Sequence, residues 1–375
     1  MSSLRILFAG HSLARPAGGG ELSASTLLSA LAKDHDVEAL CVGPRADTYT
    51  THDGVRCRDV AVGWRSPPRG IPFHLAAAWV EARFRPHLAR HVAVNPPDLL
   101  LAQQPAWLAP LDVPAATRVV VFLRSPLCWG LGEGNPSRWK RALSRPFGWV
   151  RLRRDRSFLK AADLVIANSN FLRRQHPFLT QLDAEMVPPF IEPPARDAAL
   201  SGQAHDCVTF VGLDRWKGAA TSLQVAKAFP ERPFLFLEGA RPAAGWIARA
   251  RRLANVTCLG WTTDMEAVFA RTRLLLMPSL WDEPFGRLPV EAGFRGIPTV
   301  ASRRGGLPES VGEGGLLVDP ETGPAHWIEA VKALDDPLYY EALSARARRH
   351  AEGFRREETV VLFRRLVRER LQLEI

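Results

Sequence analysis

Short apolar runs recur along the chain, each closed by glycine, proline or charged positions. Leu4–Ala9, Val37–Val42, Asp98–Ala102, Thr117–Phe122 and Leu164–Ala167 mark the first half. Val208–Val211, Phe234–Glu238, Val256–Leu259, Arg273–Met277 and Ile297–Ala301 mark the second. Runs of this length, bounded by turn residues, read as buried strands. Between them the period changes to that of a helix. Glu21–Lys33 places Leu22, Leu27, Leu28 and Leu31 on one broad face. Ile71–His91 also reads as helical, with Trp79 and Phe84 turned to a cleft or a core, and a further helix runs to Ala228. From Pro324 onward the pattern is helical to the end, closing with the amphipathic stretch Glu357–Leu373. Strands alternating with helices predict an open α/β architecture.

A chain of 375 residues suggests two domains. The stretch Val187–Pro194 carries four prolines and no periodicity, and a small polar segment follows to Asp206. The expected division is therefore residues 1–190, a linker at 191–206 and a second domain at 207–355.

The densest candidate chemistry lies between Leu274 and Asp319. A strand runs into the polar turn Ser279–Glu283, a helix starts near Arg287, and Gly296 with Pro298 stops it. In open α/β sheets, ligands bind beyond the carboxyl ends of the strands. Glu283 is expected just before the helix and Glu291 about two turns inside it. Their eight-residue offset would bring both carboxylates to one face. With Pro284 in the turn and the N–H groups of Phe285 and Gly286 at the helix entrance, this suits a ligand with hydroxyls and a phosphate. In the second domain, Gly212-Leu-Asp-Arg215-Trp-Lys217-Gly218 sets two cations between a strand end and a helix start, a pattern fit for a diphosphate.

Glu283-Pro-Phe-Gly-Arg287-Leu-Pro-Val-Glu291 resembles the E-x7-E motif of the retaining family 4 glycosyltransferases. The likeness runs on through Gly305-Gly306-Leu-Pro-Glu309 and Gly314-Gly315-Leu-Leu-Val318. The resemblance implies a GT-B fold, two Rossmann-like domains facing across a cleft, with residues 356–375 packing back on the N-terminal domain. It implies transfer of a sugar from a nucleoside-diphosphate sugar to a hydroxyl acceptor (a glycan, a lipid or a small metabolite), with retention of configuration. No metal or resident cofactor is expected; the nucleotide sugar is a co-substrate. In that picture Lys217, with Arg215, stabilises the leaving diphosphate, Glu283 holds sugar hydroxyls and Glu291 holds ribose hydroxyls. Gly19, Gly20, Gly212, Trp261, Pro284, Phe285, Gly286 and Arg287 complete the donor site. Gly18-Gly19-Gly20-Glu21 resembles the family's GG-x-E loop, and Asn168 and Ser169 its strand-to-loop segment. The chain departs from the pattern twice. Arg124 stands where members often carry a histidine, and an arginine cannot act as a base, so its expected role is contact with an anionic acceptor or the donor phosphate. Leu213 stands where the diphosphate loop usually has its arginine, and Arg215 is the substitute.

Composition narrows the alternatives. A hydrophobic content of 46% and a mean hydropathy of −0.09 fit a globular chain with ample core. No apolar run reaches the roughly 20 residues of a membrane helix. The opening MSSLRILFAG reads as a first strand and not a signal peptide. Five scattered cysteines without C-x-x-C spacing argue for a reducing, cytoplasmic setting. The net charge of +10 favours anionic partners, but zinc-finger and RNA-binding signatures are missing from the sequence, so nucleic acid is not expected. Trp139–Lys160 interleaves arginines with tryptophans. It reads either as a solvated helix, the favoured form, or as a peripheral contact with an anionic membrane. Asp34-His35-Asp36 has D-x-D spacing but lies at the wrong end of its strand for a ligand site. A nucleotide-sugar epimerase of the same fold and a catalytically silent sugar-nucleotide or membrane-binding protein remain as alternatives.

Overall fold

The computed structural model describes residues 3–14, 18–43, 45–51, 53–62, 71–103, 111–125, 150, 153–175, 181–194, 206–239 and 243–375. The chain forms two units, Met1–Phe190 with Arg356–Ile375, and Ile191–Arg355.

In the first unit the strands are β1 (Arg5–His11), β2 (Asp36–Gly43), β3 (Asp47–Thr50), β4 (Arg56–Ala61), β5 (Leu99–Ala102), β6 (Arg118–Leu123), β7 (Leu164–Ala167) and β8 (Glu185–Met186). Helices α1 (Gly19–Leu31), α2 (Ile71–Val94) and α3 (Asn170–Arg174) connect them. The sheet order is β3-β4-β2-β1-β5-β6-β7-β8, and only the β3–β4 pair is antiparallel. Alternate residues of β1 explain the layering. Ile6 and Phe8 join one core with Leu27, Leu28 and Leu31 of α1. Leu7 and Ala9 join the other with Phe84, Leu88 and Val92 of α2. A strand apolar on both faces needs a helix on each side, the arrangement of a parallel sheet. Phe84 is thus core, whereas Trp79 is exposed and carries Arg83 over its ring at 4.6 Å.

The second unit has β9 (Cys207–Val211), β10 (Phe234–Leu237), β11 (Val256–Leu259), β12 (Thr272–Met277), β13 (Thr299–Ser302) and β14 (Gly315–Val318). Its helices are α4 (Ala219–Ala228), α5 (Ala244–Ala250), α6 (Met265–Phe269), α7 (Leu288–Gly293), α8 (Leu307–Val311), α9 (Pro324–Ala333) and α10 (Pro337–Glu352). The sheet order is β11-β10-β9-β12-β13-β14, parallel at every pairing. Phe210, Phe234, Phe236 and Leu276 face Leu223 of α4 and Trp327 of α9, and Leu275 and Met277 face Phe269 and Leu307. In each sheet the chain order reverses beside its first strand, between β1 and β5 and between β9 and β12. The crevice at such a reversal is where a parallel sheet offers strand ends and helix starts to a ligand.

Helix α11 (Arg356–Leu371) closes the chain and belongs to the first unit, where Val360, Phe363, Leu366, Val367 and Leu371 enter the core with β1 and β6. The helical C-terminal stretch is divided into three helices, α9, α10 and α11. Asp336 accepts from the amides of Leu338 and Tyr339 and starts α10 afresh, and a turn at 353–355 separates α11. Of the expected linker, Ile191 is buried with Phe285, Val290 and Ala351, while 195–205 lie outside the described residues. Most of Trp139–Lys160 also lies outside them; from residue 153 it is helical, with Arg154 bonded to buried Glu81 at 2.7 Å. The D-x-D carboxylates are taken up in ion pairs, Asp34 with Arg364 and Asp36 with Arg56, each at 2.7 Å.

Candidate functional site

The second unit's candidate site is assembled by two neighbouring strands. Because β9 pairs with β12, with Phe210 opposite Leu276, the loops leaving both strands emerge side by side. The loop after β9 is wound by Asp214, whose Oδ1 accepts from the amides of Trp216 at 2.6 Å and Lys217 at 3.0 Å. Such a side-chain turn replaces a backbone turn and aims the following residues. Gly218, at φ +89°, caps α4 directly against Pro278, whose carbonyl oxygen would overlap any Cβ there. The Leu280 amide donates to the Trp216 carbonyl at 2.8 Å and ties the two loops.

This folding brings Lys217 and Glu283 together. Lys217 Nζ donates to Glu283 Oε1, and Ser279 Oγ donates to the same oxygen at 3.2 Å. The Glu283 side chain is 9% exposed and that of Lys217 36%, so the carboxylate is buried while the lysine side chain is partly open to solvent. Gly305, at φ +59°, lets the glycine loop lie on the Glu283 backbone, since a Cβ there would stand 2.6 Å from the Glu283 nitrogen and oxygen. The Gly306 amide donates to the Glu283 carbonyl at 2.7 Å, and Arg304 Nε donates to Asp282 at 2.6 Å across the same seam.

Glu291 is placed differently from the expectation. Helix α7 begins at Leu288, so Glu291 sits in its first turn and not two turns inside, and Glu283 lies in the preceding loop. The same-face relation of an eight-residue helical offset therefore does not apply. Pro284 and the positive φ of Gly286 (+84°) bend the chain between the carboxylates. Arg287 Nε donates to Glu291 Oε1 at 3.0 Å, and buried Arg295 donates to the Glu291 carbonyl at 2.6 Å while pairing with Glu266. The Phe285 ring is core, 5.4 Å from Phe354, leaving only its backbone for a ligand.

Gly212, at φ +88°, closes against the Lys217 stem. Leu213, at the family's arginine position, is buried in the core, and its amide bonds Leu237. Arg215 is exposed and lies over the neighbouring Trp216 ring at 5.5 Å, outside the Lys217–Glu283 pair. Trp261 is 49% exposed, beyond the end of β11.

The first unit gathers a separate group at its own strand reversal. Gly19 and Gly20 are not loop residues but open α1, with Gly18 as its cap and Glu21 in the first turn. Arg124, just past β6, donates through Nη1 to the Gly20 carbonyl and lies over the Phe122 ring at 4.9 Å. Gln103 Oε1 accepts from the His11 amide at 3.1 Å. Burial holds the His11 imidazole below its ordinary range, with the Glu21 carboxylate opposing. Asp59 accepts from Ser12 and steadies the segment after β1; burial pushes its carboxyl up. Ser169 caps α3 by accepting from the Leu172 amide at 3.1 Å. Asp214, Ser279, Arg295 and Gln103 escaped the sequence reading, because a supporting side chain carries no motif of its own.

A model of "Glycosyltransferase Family 4" matches residues 17–193, and one of "Glycosyl transferases group 1" matches 205–336. The D-inositol 3-phosphate glycosyltransferase of Kineococcus radiotolerans is 29% identical, over 85% of this chain and 83% of its own. The protein of the same description from Corynebacterium kroppenstedtii is 38% identical, over 39% of this chain and only 37% of its own length. Among solved structures, sucrose-phosphate synthase from Thermosynechococcus elongatus superposes with a TM-score of 0.76 at 20% identity, over 98% of this chain and 100% of that one. Anabaena HepE, in complex with UDP and glucose, gives 0.68 at 19%, over 98% and 99%. With two predominantly parallel sheets and both halves matched, the chain belongs to the family 4-type glycosyltransferases of GT-B fold.

Proposed function

We propose that this glycosyltransferase takes its sugar from a nucleoside-diphosphate sugar and passes it to a hydroxyl acceptor with retention of configuration and without a metal. The observation that carries the donor assignment is the Lys217–Glu283 pair at the β9/β12 reversal, a partly exposed lysine backed by a buried carboxylate. In this reading Lys217 neutralises charge as it develops on the departing diphosphate, helped by the starts of α4 and α7. Glu283 accepts from sugar hydroxyls and Glu291 from ribose hydroxyls, while the Phe285 and Gly286 amides face the phosphate. The leaving phosphate oxygen takes the acceptor proton, so no side-chain base is required. The HepE complex with UDP and glucose and the relatives' names support this choice of substrates. The acceptor is a hydroxyl compound, and the Gly18–Glu21 segment with Arg124 is proposed to serve it. No helix among the described residues is long and apolar enough to cross a membrane. The proposed location is the cytoplasm, and the interleaved arginines and tryptophans of the sequence 139–160 are the candidates for any peripheral membrane contact.

A thermal-shift screen against UDP-, GDP-, ADP- and dTDP-sugars without metal tests the donor. Selective binding should raise stability by about 2.7 kcal/mol at a hundredfold excess over the dissociation constant. No shift by any donor at millimolar concentration would remove the reading. Glu291→Ala should weaken the free nucleoside diphosphate and its sugar conjugate alike, by about ten- to a hundredfold, since a hydrogen bond to a charged group contributes about 1.5–3 kcal/mol. Calorimetry that shows loss for the conjugate alone would reassign Glu291 to the sugar.

A further inference from the structure

The Lys217 ammonium already has a counter-ion. Glu283 Oε1 accepts from it and from Ser279 Oγ, and the Glu283 side chain is shielded from solvent. The other nearby charges are committed elsewhere: Asp282 to Arg304 at 2.6 Å, and Glu291 to Arg287 at 3.0 Å. A diphosphate that binds Lys217 competes with Glu283 for one positive charge. Drawing the ammonium outward would leave a buried carboxylate with only the Ser279 hydroxyl, and an uncompensated buried charge is costly.

We propose that Glu283 and the diphosphate compete for Lys217, so that Glu283 limits affinity for the nucleoside-diphosphate product and drives its release. This rests on the donor site proposed above and adds a second role for Glu283. While the sugar is attached, its hydroxyls give the carboxylate replacement donors and offset the loss of Lys217. Once the sugar has left, those donors go with it, and Glu283 retakes the ammonium. The carboxylate thus favours the intact donor over the product, the sense required for turnover.

The test is calorimetric titration of UDP, GDP and ADP into the wild-type protein and Glu283→Gln, with folding checked by circular dichroism. Glutamine keeps the shape and can still accept from Ser279, but it does not hold the ammonium as an ion pair. The variant should bind the accepted nucleoside diphosphate about five- to fiftyfold more tightly than wild type. It should also lose the preference for the sugar conjugate. The gain should shrink when Lys217 is already alanine; an equal gain there would trace it to simple repulsion and overturn the competition. Equal or weaker binding by Glu283→Gln, with wild type binding normally, overturns this inference alone. Absence of binding by both proteins to all three nucleotides overturns the donor site, and this inference with it.

Discussion

Lys217→Ala should slow sugar transfer by about a hundred- to a thousandfold, the usual cost of removing one preorganised group that stabilises developing charge. The Lys217 backbone is fixed on both sides, because Asp214 accepts from its amide and Gly218 seats the loop on Pro278. The loss should appear mainly in kcat, since charge on the diphosphate grows as the sugar bond breaks. Nucleotide release from the donor found in the thermal screen provides the assay. A fall below about tenfold would take Lys217 out of the leaving-group role. Arg215→Ala makes the natural control: exposed and lying over Trp216, it should change the rate far less.

Phe363→Ala should lower the unfolding free energy of the first unit by about 3–5 kcal/mol, the range for emptying a buried aromatic position. Phe363 is fully buried, with ring centroids 5.8 Å from Phe122 and 6.0 Å from Phe190. The three rings tie α11 at the end of the chain to β6 and to the stretch that closes the first half, where the Phe190 amide also donates to Ser23 Oγ at 3.0 Å. A cavity here opens between three distant parts of the sequence and cannot be refilled by one local shift. Denaturant titration with a free slope measures the change. A loss under about 1 kcal/mol would mean that the aromatic cluster repacks without a cavity.

The sequence alone was enough for the architecture and for the family. The strand Leu164–Ala167 was legible to the residue, because a continuous apolar run has few alternatives to a sheet buried on both faces. The strands that escaped, β3, β4, the two-residue β8 and β14, have mixed polarity, are very short or open on glycine, and β3, β8 and β14 lie at sheet edges. An edge strand need bury only part of its surface, so its pattern is weak. Glu283, Glu291 and Lys217 stood out in the sequence because each lies in a short, consecutive stretch of turn and charged residues.

What only the tertiary structure decided is which of these charges meet. Lys217 and Glu283 are 66 positions apart, and they touch because β9 pairs with β12 and Gly218 and Gly305 permit close backbone approach. The same folding turned Leu213 inward, left Arg215 on the surface, and put the Phe285 ring into the core. It also set Arg124 on the carbonyl of Gly20, 104 positions away. Periodicity records how a segment divides its faces between core and water, a property of the segment itself. An ion pair between loops depends on where two strands end in space, and strand register and sheet order are settled by the whole core at once.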